Sequence, residues 1–94
     1  MVLHTSSIIR AAKRLDIVFP KLLSAKTEIR FSTVMDKLEE EMDELIFALD
    51  QLADLNRKRQ FSALNEFIKF GYDVLSIYSM ACDKIIERRI TEEI

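Results

Sequence analysis

Between Phe61 and Ile90 the apolar residues recur every three or four positions in two adjacent rows. The first row is Phe61, Leu64, Ile68, Leu75, Tyr78, Cys82 and Ile85, with Gly71 in the one missing step. The second is Phe67, Phe70, Val74, Ile77 and Ala81. Both follow the helical period, so the stretch predicts one long helix with a broad apolar face. Two rows predict two neighbours, one for each. Upstream, Phe31, Met35, Leu38, Met42, Leu45, Leu49 and Leu52 form an uninterrupted heptad row, the strongest periodic signal in the chain. It predicts a helix over about 31–55. A third row, Ile8, Ala12, Leu15, Phe19, Leu22 and Ile29, keeps phase across Pro20 if Lys26 takes one step. It predicts a helix over about 6–27, capped by Ser6 or Ser7 and kinked rather than broken at Pro20. A short turn at 56–60 follows from the change of phase between Leu52 and Phe61, with the last helix over about 60–88. The expected fold is all-α: an up-down antiparallel bundle of three long helices, or four if the chain breaks at Pro20.

Composition narrows this further. Ninety-four residues make a single domain, spanning 1–94, and one Gly and one Pro leave little material for β-turns. No apolar run approaches the roughly 18 residues of a membrane span, and the first residues lack the pattern of a secretion signal. Cys82 is the sole cysteine, lies on the main apolar row and suits a reducing, cytoplasmic compartment as a small buried hydrophobe. The net charge is −2 but segregated: residues 1–30 carry six Lys/Arg against two acids, and residues 31–54 carry one Lys against eight acids. Attraction between a basic first helix and an acidic second one is the simplest account. Gly71 inside a helix costs about 1 kcal/mol relative to Ala, which implies close approach of another backbone or of a bulky side chain such as one of the phenylalanines.

Candidate chemistry is sparse. Glu40-Glu41-Met42-Asp43-Glu44 resembles the EExxE pattern of MazG-type nucleoside-triphosphate pyrophosphatases, which implies Mg²⁺ held by Glu40, Glu41 and Glu44 together with an ExxD pair on a facing helix. Phe70 stands three residues before Asp73, so that second half is absent. His4 is the only histidine, which excludes a di-iron bundle and leaves no catalytic triad to assemble. The basic triplet Arg57-Lys58-Arg59, helped by Arg10, Lys13 and Arg14, offers candidate phosphate contacts for RNA or DNA, against a pI near 5.4 and an acidic helix that would repel nucleic acid. Ile46, Phe47, Leu55, Tyr72 and Met80 fall off the expected core rows and form the candidate interaction surface.

Phe19-Pro20, Arg30-Phe31, Glu44-Leu45-Ile46 and Ile85-Ile86 running into Ile90-Thr91-Glu92-Glu93-Ile94 give the chain a resemblance to small four-helix-bundle proteins. These are the accessory variability determinants of diversity-generating retroelements and the ribosomal-intervening-sequence proteins. The resemblance implies a ring-forming bundle that binds RNA and a partner polymerase; the bundle and its tendency to oligomerise are carried over here, without RNA contacts. The expectation is a non-catalytic helical interaction module without cofactor, pairing with itself or with a helical protein partner. The alternatives are a nucleic-acid-associated accessory protein using the basic turn, and the Mg²⁺-dependent pyrophosphatase.

Overall fold

The structure is a computed structural model that describes the backbone over residues 2–93 and the side chains over residues 5–92. Three helices run up, down and up: α1 (Val2–Leu23), α2 (Glu28–Arg59) and α3 (Ser62–Glu93), with no strand among the described residues. At about 1.5 Å per residue, α2 and α3 are roughly 48 Å long and α1 about 33 Å. These lengths match a body of 52 × 20 × 15 Å. The hairpin of α2 and α3 therefore overhangs α1 by several turns at its closed end.

α1 begins earlier than expected, so Ser6 and Ser7 lie inside it rather than capping it. It passes through Pro20 unbroken, giving three helices rather than four, and ends one turn later at Leu23. Pro20 leaves Asp16 O without a donor from the i+4 position, while its own carbonyl accepts from Ser24 N at 3.1 Å where the helix closes. Thr27, expected to close α1, instead caps α2: its backbone is extended and its Oγ1 accepts from Arg30 N at 3.1 Å. α2 thus starts three residues before Phe31. Ile29, assigned above to the apolar row of α1, then falls on the outside of α2 and is 82% exposed.

α2 also runs past Leu55, and the turn shrinks from 56–60 to Gln60 and Phe61. The heptad continues one step beyond Leu52 to Asn56, which is buried in the seam although polar. Its Nδ2 donates to Phe61 O at 3.2 Å and to Asn65 Oδ1 at 2.6 Å, while its Oδ1 accepts from Phe61 N at 3.0 Å. Gln60 closes the helix in the left-handed region (φ 53°), and its N–H reaches Asn56 O at 2.7 Å. One asparagine therefore builds the corner that apolar periodicity alone placed four residues too early.

The core is a leucine ladder: Leu15 and Leu22 of α1 against Leu38, Leu45, Leu49 and Leu52 of α2, all inaccessible to solvent. Ile68, Leu75 and Cys82 close it from α3. Gly71 lies in this seam, where a Cβ would stand 2.5 Å from Leu49 Cδ2; the bulky neighbour is a leucine, not a phenylalanine. α1 packs chiefly on α2. Against α3 it makes a narrower contact, where the Tyr78 ring meets Phe19 edge-on at 5.4 Å and the Tyr78 hydroxyl donates to Asp16. The second row of α3 is consequently only partly covered: Phe67 packs against the core, and Val74 and Ala81 are half-buried. Phe70 and Ile77 are each 66% exposed.

Candidate functional site

Three places bring chemically distinctive side chains together. The first lies between α1 and α2. Glu41 occupies an inward position of α2 and is 2% exposed, yet its carboxylate is fully partnered. Arg14 Nε donates to Glu41 Oε2 at 2.5 Å, Arg14 Nη2 to Glu44 Oε2 at 2.8 Å, and Lys37 Nζ lies 3.1 Å from Glu41 Oε1. Burial pushes the Glu41 carboxyl up, but the hydrogen bonds and charges of Arg14 and Lys37 outweigh it and hold the group below the usual carboxylate range. The same contacts raise Arg14 and Lys37. This is where the attraction between the basic and acidic helices becomes contact. It also accounts for the EExxE carboxylates: Glu41 and Glu44 hold Arg14, and Glu40 lies 4.0 Å from Lys37. Among the described residues no group of His, Cys, Asp or Glu is arranged to hold a metal ion. The side chain of His4 lies outside the described residues.

The second place is the open end of the bundle. Arg89 Nη2 donates to Ala25 O at 2.6 Å, Nη1 to Glu28 Oε1 at 3.3 Å, and its guanidinium stacks 3.8 Å from the centre of the Phe31 ring. α3 therefore runs past the expected end near 88, and Arg89 ties it as a helix to the α1–α2 loop.

The third place is the uncovered side of α1 and α3. Two adjoining hollows are lined by Ile9, Ala12 and Asp16 of α1 and by Phe70, Val74 and Ile77 of α3. They form a shallow apolar trough along the two helices. Its floor is the second row of α3. Sequence periodicity found that row but assigned it to the core, because it carries no mark of which neighbour covers it.

The five residues of the expected interaction surface do not form one patch. Phe47 is 67% exposed and lines a groove between α1 and α2 with Arg10, Arg14, Asp43 and Glu44. Tyr72 donates its hydroxyl to Asp50 of α2, which with burial raises its pKa, so it serves the α2–α3 seam. Ile46, one turn before Asp50, belongs to that same side of α2. Leu55 stands on the overhang, and Met80 on the outer face of α3. Arg57, Lys58 and Arg59 are exposed at the end of α2, where Arg57 pairs with Asp54 at 3.0 Å and suits the helix C-terminus. Arg14, expected to help them, is committed to Glu41 and Glu44.

No helix among the described residues is long and apolar enough to cross a membrane. Compared with protein-family models, curated proteins and solved structures, the chain matches none.

Proposed function

We propose that the protein is a non-catalytic helical interaction module, working in the cytoplasm through the side of the bundle that α1 and α3 leave open. One observation carries the reading. The row Phe67, Phe70, Val74, Ile77 and Ala81 keeps heptad spacing, yet Phe70 and Ile77 stand in solvent. Heptad positions stabilise a helix only when another surface covers them, and two large apolar side chains left uncovered a heptad apart in such a row are a liability for an isolated chain. The ion-paired carboxylates around Arg14 favour a structural role for the acidic helix over a cation site.

The test separates a surface held for a partner from one needed for folding. Phe70→Ser and Ile77→Ser are made together, and denaturant unfolding is followed at a concentration where the chain is monomeric. A stability change within about 0.5 kcal/mol supports the module, since such positions are then surface in the monomer. A loss of about 3 kcal/mol or more would place the row in the folding core and end this reading. The catalytic alternative has its own assay: release of pyrophosphate from nucleoside triphosphates with Mg²⁺, abolished by Glu41→Gln or Glu44→Gln, would make the chain an enzyme.

A further inference from the structure

Resting on the interaction-module reading, we infer that the trough is covered by a second copy of the same chain, α3 against α3 in antiparallel register, with the two-fold axis crossing between Leu75 and Ser76. The row extends beyond its apolar part. At the same alternating step it runs Ala63, Phe67, Phe70, Val74, Ile77, Ala81, Lys84, Arg88: apolar through the middle and basic at one end. Two such seams meet either parallel or antiparallel. Parallel pairing sets each residue against its own copy, so Lys84 faces Lys84 and Arg88 faces Arg88 inside the seam. It also places Phe67 and Phe70 against themselves while Ala81 leaves a gap. Antiparallel pairing about 75–76 sets large against small, Phe70 against Ala81 of the other copy and Val74 against Ile77. It lays the stem of Lys84 along Phe67 with its ammonium beside Glu66. Asp73 falls beside Met80, about 7.5 Å along the axis from its own copy at 1.5 Å per residue. Charge and volume therefore select the same orientation. Ile9 and Ala12 of α1 close the flank.

Self-pairing through Phe47 fails the same test. The exposed line of α2 around it reads Asp36, Glu40, Asp43, Phe47, Asp50, Asp54. In either direction a second copy would set acid against acid, and like charges across a contact suppress it.

Light scattering after size exclusion should give twice the 11.0 kDa chain mass for the wild type. The chain mass alone is expected for Phe70→Glu with Ile77→Glu, and the dimer is retained in Phe47→Glu. Orientation is read by mixing two chains in a Cys82→Ala background, one with Glu66→Cys and one with Lys84→Cys. Oxidation should link the two kinds of chain to each other and leave either alone unlinked. Independently of that background, Lys84→Glu should weaken the dimer roughly tenfold through its two symmetric contacts, and adding Glu66→Lys should restore it to within about threefold. A monomer at every concentration overturns the inference and leaves the module reading to its unfolding test. Linkage of Lys84→Cys chains to one another, a charge reversal that fails to rescue, or a dimer lost in Phe47→Glu but kept in Phe70→Glu with Ile77→Glu, overturns it as well.

Discussion

Glu41 shows how one residue can sit where its neighbours' periodicity does not call for it. It falls beside the heptad row on the inward face of α2, and only Arg14 and Lys37 make its burial tolerable. Removing its charge by Glu41→Gln should cost about 1–2 kcal/mol at neutral pH, the usual worth of charged hydrogen bonds reduced because both cations are partly solvated. The cost should depend on pH with a fixed sign. The folded carboxyl titrates below its unfolded value near 4.5, so the stabilisation is complete above that value and disappears as pH falls through the folded pKa. Wild type and Glu41→Gln should thus differ in urea midpoint at pH 7 and converge in acid. Asn56 behaves similarly without charge. Asn56→Ala strands the Phe61 N–H and two acceptors at the hairpin corner. It should lower stability by about 2–3 kcal/mol, measured by denaturant unfolding.

Among the elements, α3 depends on a glycine. Gly71 admits the Leu49 side chain, so the two helices approach where any Cβ would overlap it. Gly71→Ala gains about 1 kcal/mol of helix propensity but overpacks a site whose neighbour is fully buried, at about 1–3 kcal/mol. The single substitution should lower the thermal midpoint. Because the two side chains share one space, Gly71→Ala combined with Leu49→Ala should cost less than the sum of the two separately. α1 offers the opposite case. Pro20 lies in its last turns and supplies no N–H to Asp16 O, so Pro20→Ala should stabilise by about 1–2 kcal/mol, the missing bond being partly offset by a floppier unfolded chain.

For the whole molecule the decisive feature is unequal coverage. α2 is packed by both neighbours, whereas α1 and α3 touch through Tyr78, Phe19 and Asp16 and through the Arg89 clamp at the loop. Burial and the Asp16 carboxylate push the Tyr78 phenol up to about 12, so this link stays protonated through neutral pH. Arg89 ties the far end of α3 by geometry that lysine cannot reproduce, since a planar fork and a stacking face are both used. Arg89→Lys should speed amide hydrogen exchange over about residues 83–93 and leave exchange in the leucine ladder unchanged. Uniform acceleration across all three helices would show that the clamp supports the fold as a whole.

The sequence by itself determined an all-helical bundle, the order of its long helices and the leucine row of α2, because each rests on local periodicity. It placed Cys82 in the core for the same reason. It left a break at Pro20 open, a choice the structure closed in favour of one helix. It mislaid the helix ends, since Thr27 and Asn56 act through hydrogen bonds that carry no apolar period. What covers each row was decided only in three dimensions. Phe70 and Ile77 have the spacing of core residues, and nothing local distinguishes them from Ile68 and Leu75. The difference arises because α1 seats its own row, Ile8, Ala11, Leu15, Val18 and Leu22, on α2 and meets α3 only narrowly. Periodicity states that a face must be covered. Packing among three helices of unequal length decides which face is left open.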